Sequence, residues 1–553
     1  MSTVGPFIDL LKKRGFEGDT DDSEQTRQFY SYDASLFELL PDLVVFPKNS
    51  QDLQELIICA HLLKKKIPNL SLTARSAGTC MSGGAINDSV IVDFTRYFNK
   101  IESVQDLAVR VQPGVFYRDF EKTTLAKGAL LPPFPASREL ATVGGMVANN
   151  AGGEKSLEFG KTENFVNSLS VVLSDGKTYE LKALNRQELS AKRQQPNFEG
   201  QIYTQLFDLL EKNYDAIKAA KPHVSKNSTG YNLWDVWNRE TGIFDLTKLF
   251  TGSQGTLGLI SDIEFRLVHD KPHSGVLVGF MKNLNDLGEL INTVVAAKPA
   301  SFEAFDNHTL TLALKFFPYF RKTLGWGGLI KLGFQLIPDA LLLFRGIPKM
   351  VLLIEFTGQT PEEVAQKVHA MKLALKPYKL EATEEDSTEA KAWKFRIMRR
   401  ESFNLLRKKV KDKHTAPFID DLVVPPPHLA EFLPKLQAII KKYKLLATIA
   451  GHIGDGNFHV IPLMKIEDPK ERAKLKPAMK EVNELVLSYG GSLSGEHNDG
   501  MIRGPFLTQM YGKEIVELFR QTKKIFDPEN IFNPHKKTDA TWDFSMKHIR
   551  EHF

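Results

Sequence analysis

Two cysteines, Cys59 and Cys80, are all that the 553 residues contain. That count excludes a disulfide framework and any iron–sulfur centre held by four thiolates of this chain. Also missing is an uncharged apolar run of the ~18 residues that mark a bilayer-spanning helix. The first apolar run, in MSTVGPFIDLLKKRGFEGD, breaks at Lys12, so no signal-peptide core is expected. A large charge excess is absent too, since the formal net charge of +5 is small for this length and does not point to a nucleic-acid partner. No glycine loop fits the strand-to-helix G-x-G-x-x-G fingerprint well, which argues against a Rossmann nicotinamide site. Neither a fixed-period repeat nor a low-complexity tract occurs. What remains is the composition of an ordinary globular protein, 42% hydrophobic and 25% charged, too long for one core. It is expected in reducing, cytoplasmic surroundings.

Residues 51–65 (QDLQELIICAHLLKK) carry apolar groups at Leu53, Leu56, Ile57, Ala60 and Leu63, a helical spacing. LVVFP, SVIVDF and LAVRVQP read as short buried strands separated by glycine-rich turns. From about residue 275 the pattern changes to strand then helix: GVLVGFM before NLNDLGELINTVVAA, and MVLLIEF before PEEVAQKVHAMKLAL. With a further strand near Ala304, this alternation predicts a second α+β domain, with the boundary near Asp270–His273. A third composition shift, rich in Gly, Leu, Phe and Pro, covers Leu314–Lys349.

Four segments in the first half concentrate glycine: RSAGTCMSGG (75–84), TVGGMVANNAGG (142–153), Asp175-Gly176, and TGSQGTLG (251–258). Glycine lets backbone N–H groups approach an anion without a Cβ in the way, and a pyrophosphate needs several such donors.

In the second half, GHIGDGNFH places Asp455-Gly456, a strong two-residue hairpin signal, between apolar runs. A two-residue turn would set His452 directly opposite His459 on one face, with Cβ atoms about 5 Å apart. Such a pair is either a polar cross-strand contact or two ligands of one ion, and an ion needs a third ligand. The rich candidate downstream is GEHNDG (495–500). The basic run Lys391–Lys413, with Glu401 and Asp412 its acidic residues, reads by default as a solvated helix face.

Taken in order, the four glycine segments resemble the FAD-binding domain of the vanillyl-alcohol-oxidase (PCMH-type) flavoprotein superfamily. They are most similar to its FAD-linked D-lactate dehydrogenase and glycolate oxidase branch. The stretch YSYDASLFELLPDLVVFPKNSQDLQELI resembles the start of that domain, GHIGDGNFH followed by GEH resembles the branch's C-terminal signature, and FDPENIFNPHK its closing segment.

This resemblance implies an α+β chain. Its parts would be a helical lead-in (1–37), a PCMH-type FAD-binding domain (38–272), a ferredoxin-like α+β cap for substrate (273–470), and a C-terminal helical segment (471–553) returning to the flavin. The loop with Arg75, Ser76, Ala77, Gly78, Thr79, Met81, Ser82 and Gly83 would hold the pyrophosphate. Thr142, Gly144, Gly145, Ala148, Asn149, Asn150, Gly152 and Gly153 would line the isoalloxazine, and Gly252, Ser253, Gly258 and Ile260 would run beside the adenosine. Asn533 would lie near the flavin.

Metal ligands implied are His452, His459 and Glu496, with zinc first and manganese or iron as alternatives. His497 is implied as the catalytic base. Arg396, three residues after Trp393, would grip the substrate carboxylate, a task that suits a planar guanidinium.

Three departures stand out. Thr79 replaces the histidine of covalently flavinylated relatives and no cysteine lies near Val143–Gly145, so the FAD is expected to be non-covalent. Gln254 replaces a usual acidic residue. Asn498-Asp499-Gly500 replaces the usual Gly-x-Gly.

The implied reaction is metal-assisted oxidation of a D-2-hydroxy acid, D-lactate before glycolate or D-2-hydroxyglutarate, with hydride passed to flavin. Ile461, on the histidine face, hints at an apolar wall. Electrons would leave to a quinone, a cytochrome, a partner flavoprotein or an iron–sulfur protein. One rival is a non-redox alkyl transferase of the same fold, but the run of consecutive histidines those enzymes carry is absent. A second is a metal-dependent hydrolase without flavin. The 314–349 insertion, with Trp326, Tyr319 and six basic residues against Asp339, suits a segment lying at a membrane interface, or else a cap or dimer contact. The membrane reading would place the enzyme peripherally on the inner face.

Overall fold

The structure is a computed structural model that describes residues 4–307, 309, 311, 347–378, 380, 383–386 and 412–551. Nearly all of the 314–349 insertion, together with Trp393 and Arg396, lies outside the described residues. Among the described residues no helix is long and apolar enough to cross a membrane.

Continuous apolar runs make the first sheet. Leu43–Phe46 and Val90–Asp93 are buried at every position, as strands covered on both faces must be. They pair in parallel with each other, Val90–Asp93 pairs in parallel with Leu72–Arg75 on its other side, and Asp19–Asp21 adds an antiparallel edge to Leu43–Phe46. The first 37 residues therefore supply a strand as well as helices, and Val4, Phe7 and Leu11 join this sheet's core. Helix Ser50–Lys64 begins where the Asn49 side chain accepts from the Asp52 N–H, and it buries Leu53, Leu56, Ile57 and Ala60 against the sheet.

A second, six-stranded antiparallel sheet follows in the order Ala108–Val111, Leu259–Arg266, Val166–Val172, Thr178–Leu184, Ile243–Asp245, Trp237–Asn238. Its strand Leu259–Arg266 alternates buried and half-buried residues, the period of a sheet with one face on a core. Val172 and Leu259 pack into the first sheet's core, which joins the two layers.

The third sheet is antiparallel and begins with Thr383–Asp386, His273–Met281, Met350–Gly358 and Ser301–Asp306, side by side in that order. Numbered along the chain this is strand order 4-1-3-2, with helices Leu287–Ala296 and Pro361–Ala374 as the two crossovers, the ferredoxin-like arrangement. The sheet continues through Leu446–His452 and Asn457–Met464, which bring the histidine hairpin to its far side. The C-terminal segment ties the parts together. Helix Leu475–Ser488 packs in the cap core, Leu507–Phe526 packs on the second sheet, and Ile531 and Phe532 enter the first.

Candidate active site

A cleft open to solvent runs between the glycine segments. Of the residues expected at the cofactor, Arg75, Ser76, Gly78, Thr79, Gly144, Gly145, Ala148, Asn149, Gly258 and Ile260 line it. Cys80, Gly84, Gln254 and Gly255, within the glycine segments 75–84 and 251–258, line it too, as do Ala85, Phe94 and Pro113, which the sequence reading missed. Gly78 has φ +67, the left-handed region that favours glycine, and a Cβ there would sit 2.5 Å from the Arg75 guanidinium and displace it. Arg75 lines the cleft and also braces the loop from beneath, donating to Tyr30 O at 3.1 Å and Ala85 O at 3.4 Å. Thr142 caps helix Val143–Asn149 and shares a 2.5 Å hydrogen bond with Ser76, which locks two glycine segments side by side. A wall of small residues with Phe94, Pro113 and Ile260 at its edges fits a long, flat, partly apolar cofactor such as FAD.

Several expected cofactor residues sit not in the cleft but under it, at its junction with the histidines. Gly152 abuts Glu496, since a Cβ would lie 3.0 Å from its Oε1, and Gly153 O accepts from Lys226 at 3.2 Å. Ser82 O accepts from Met501 N at 2.8 Å. Asn533 donates to Gly84 O and Gln254 O at 2.8 and 2.7 Å. Gln254 accounts for its own departure from an acid. Its Oε1 accepts from Gly500 N at 2.8 Å while its Nε2 donates to Ser82 Oγ and Asn149 Oδ1, both at 3.1 Å, and a carboxylate has no donor for the second task.

The hairpin differs from the expected register. His452 pairs with Asn457, and His459 pairs with Ala450, because residues Ile453–Asp455 form a 3-10 turn that lengthens the loop. The two histidines are thus diagonal rather than directly opposite. A two-residue shift keeps the face that a one-residue shift would reverse, and their ring centroids lie 5.4 Å apart. Gly456 makes the turn, with φ +66 and a would-be Cβ 1.8 Å from Val424 O.

Each histidine is oriented by a buried carboxylate. His452 Nδ1 lies 2.5 Å from Glu303 Oε1, and His459 Nδ1 lies 3.2 Å from Asp420 Oδ1. With Nδ1 so engaged, Nε2 is the nitrogen through which each ring would coordinate an ion. The His452 Nε2 is 3.4 Å from Glu496 Oε1. Ligand atoms of His452, His459 and Glu496 all lie within 4.8 Å of one another. Carboxylates behind two imidazoles, with a third anionic ligand in front, form the donor set of a divalent-metal site. The residues present therefore fit a divalent cation. Asp420 and His497 with His459, and Asp421 and His497 with Glu496, form overlapping groups of similar compactness.

His497 stacks on His459 at 5.1 Å, and its Nδ1 lies 2.8 Å from the second oxygen of Asp420. Burial lowers the His497 pKa, but Asp421 and Asp420 outweigh it and raise it to about 9. Burial likewise opposes charge on Asp420, yet His497 and His459 hold its carboxyl below the usual range. Asp421, at φ +66, accepts from the backbone N–H groups of Glu496 and His497 at 2.8 and 2.7 Å and from Ser494 Oγ at 2.6 Å, which shapes the loop. Lys226, fully buried, donates to Glu496 Oε1 at 2.6 Å and lies 3.1 Å from Asp455 Oδ2. Against burial, Lys226, then His452 and His459, bring the Glu496 carboxyl down to about 2.

Sequence reasoning missed Asp420, Asp421, Glu303 and Lys226. The signal for the first two was an acid pair inside the apolar run PFIDDLVVP.

Comparison with known proteins bears on the family and the fold. Residues 41–182 match the FAD binding domain family, and residues 271–537 match the FAD linked oxidases, C-terminal domain. A D-2-hydroxyglutarate dehydrogenase of Pseudomonas putida is 30% identical over 97% of this chain, but the chain spans only 52% of that protein's length. Glycolate oxidase subunit GlcD of Bacillus subtilis is 28% identical, with 93% of each chain covered, and a D-lactate dehydrogenase of Anaerostipes hadrus is 25% identical, with 96% of each covered. Among solved structures, 4-ethylphenol oxidase from Gulosibacter chungangensis superposes with a TM-score of 0.67 at 14% identity, covering 98% of this chain and 99% of that one. An alkyldihydroxyacetonephosphate synthase superposes with a TM-score of 0.66 at 16% identity, covering 96% and 84%. At such identities the two structures bear on the fold alone.

Proposed function

The chain belongs to the FAD-linked oxidases with a PCMH-type FAD-binding fold, and on that premise we propose that it dehydrogenates a small D-2-hydroxy acid with the help of a divalent metal. The observation that carries this reading is the junction itself: Glu496, grouped with three carboxylate-oriented histidines, abuts Gly152 at the end of a segment that lines the FAD cleft. The residues lining that cleft would hold FAD non-covalently, and bound FAD supplies the acceptor for the substrate's two electrons. His452 Nε2, His459 Nε2 and Glu496 would hold zinc, manganese or iron, and a cation there supplies Lewis acidity toward the substrate hydroxyl.

His497 is the proton acceptor in this reading. With Nδ1 facing Asp420, its Nε2 takes the hydroxyl proton from the neutral state of the ring, a state that a pKa of about 9 makes the minor one near neutral pH, and the buried carboxylate steadies the resulting imidazolium. Glu303 and Asp420 keep the other two rings in the tautomer that presents Nε2. Arg396 is the candidate for the substrate carboxylate. Reduced enzyme would pass electrons to a quinone, a cytochrome or an iron–sulfur or flavin partner.

D-lactate is the preferred substrate because the histidine face continues as Thr448, Ile461 and Phe305. Thr448 pairs with Ile461 one step beyond the Ala450–His459 pair, and Phe305 pairs with Ala450 from the next strand. This wall suits a methyl group better than a second carboxylate. D-2-hydroxyglutarate is the second reading, favoured by the relative that is 30% identical. Initial rates on D-lactate, glycolate and D-2-hydroxyglutarate with a dye acceptor, before and after chelation, test the proposal. Turnover of one of them that falls on chelation and returns with zinc or manganese is expected. Undiminished turnover after complete metal removal would overturn the metal assignment, and D-2-hydroxyglutarate as the best substrate would select the second reading.

A further inference from the structure

Beyond His497 the chain turns through Asn498 at φ +66 and Gly500 at φ +49. Asparagine is among the side chains that best tolerate the left-handed region, and here its amide does what a glycine cannot. Its Nδ2 donates to Asn149 O at 3.2 Å and Gly252 O at 2.9 Å, both in the cleft's glycine segments, and its Oδ1 accepts from Lys537 Nζ at 2.7 Å. The next residue, Asp499, accepts from the same Nζ at 2.8 Å and from Gly230 N at 2.8 Å. Asn498, Asp499 and Lys537 are all fully buried. Lys537 also donates its backbone N–H to Gly500 O at 3.1 Å. The segment that delivers Lys537 is itself constrained, with Asn533, His535 and Lys537 at φ 41, 65 and 51. Left-handed non-glycine residues persist only where surrounding contacts hold them.

A buried ion pair is weak evidence for stability, since neutral groups of similar shape often serve as well. What this one supplies is a fixed position for two consecutive loop residues. We infer that Lys537 is a positioning residue that latches the loop bearing Glu496 and His497 to the FAD cleft, so that cleft occupancy and histidine placement form one unit. The inference rests on the reading of His497 as proton acceptor, but its effect on the cofactor can be read without turnover.

Lys537→Met alone strands the Asp499 carboxylate, so the decisive variant pairs it with Asp499→Asn, which keeps an acceptor for Gly230 N. The neutral pair is expected to hold its Tm within about 3 °C of wild type, a small change for a chain of this size. Its FAD affinity, from fluorescence titration of flavin-free protein, should fall about tenfold or more, and kcat should fall by a similar factor with KM within about twofold, the mark of a misplaced group rather than a lost substrate contact. Wild-type FAD affinity in the neutral pair overturns the inference. So does a drop in Tm large enough to account for the lost affinity, since a plain structural brace would do the same. Should the wild type oxidise none of the hydroxy acids, the proposed function fails separately, and the FAD titration still decides the latch.

Discussion

Asp420 presents one oxygen to His459 Nδ1 and the other to His497 Nδ1, so a single carboxylate sets the tautomer of a candidate metal ligand and of the candidate base. Asp420→Asn should therefore cost about 10- to 100-fold in metal affinity or turnover, the usual size of such outer-sphere losses. The histidines separate by role. His497→Ala is expected to keep its metal by elemental analysis while losing roughly 10²- to 10⁴-fold in kcat, as for a lost general base. His452→Ala should lose the metal, and retention of a full equivalent would count against its role as ligand. The cysteines make a contrasting pair of inert residues. Burial pushes the Cys59 thiol up to about 11 and raises that of Cys80 as well. A raised thiol pKa means little thiolate below that pH, and thiolate is the reactive form. Native protein at pH 8 should resist alkylation at Cys59, with labelling appearing only toward pH 11 or after unfolding. Rapid labelling at pH 8 would contradict the burial.

The hairpin Leu446–Met464 shows what an element reveals before and after folding. Its strands, and the fact that both histidines share a face, follow from period-two alternation and the Asp455-Gly456 turn signal. Its register does not, because the 3-10 turn adds two residues that composition cannot count. Gly456→Ala tests the turn. A Cβ at φ +66 costs about 1 kcal/mol or more of backbone strain, and this one would also meet Val424 O at 1.8 Å. A clear drop in Tm with loss of bound metal is expected, and a neutral outcome would mean the turn can relax. The glycine segments were legible for a similar reason, since close backbone approach is a local property. Glu303, Asp420 and Lys226 were not, because they reach their partners across 149, 39 and 270 residues of sequence. Separations of that kind become contacts only once the cap and the FAD-binding sheets are in place. The α+β character of the cap was readable from strand–helix alternation, and the resemblance implied a ferredoxin-like cap, but the strand order came only with the structure, and the edge strand Asp19–Asp21 had no apolar pattern to announce it.

On the scale of the whole molecule, two sheets flank a cofactor cleft, a third carries the histidines, and the C-terminal segment packs into the cores of all three. FAD binding should therefore stabilise the chain as a unit, by about 2.7 kcal/mol at a free concentration 100 times Kd. Thr79 offers no ring nitrogen for a covalent link, so acid precipitation should leave the yellow colour in the supernatant; colour retained in the pellet would contradict a non-covalent cofactor. The most direct test of the central claim is the visible spectrum of the FAD-loaded, metal-replete protein under anaerobic conditions during titration with D-lactate, glycolate and D-2-hydroxyglutarate. The flavin bands should bleach with one of these acids in proportion to the oxo acid formed, and His497→Ala should bleach far more slowly. A protein that takes up no flavin, or one whose flavin stays oxidised with all three acids, would contradict that claim.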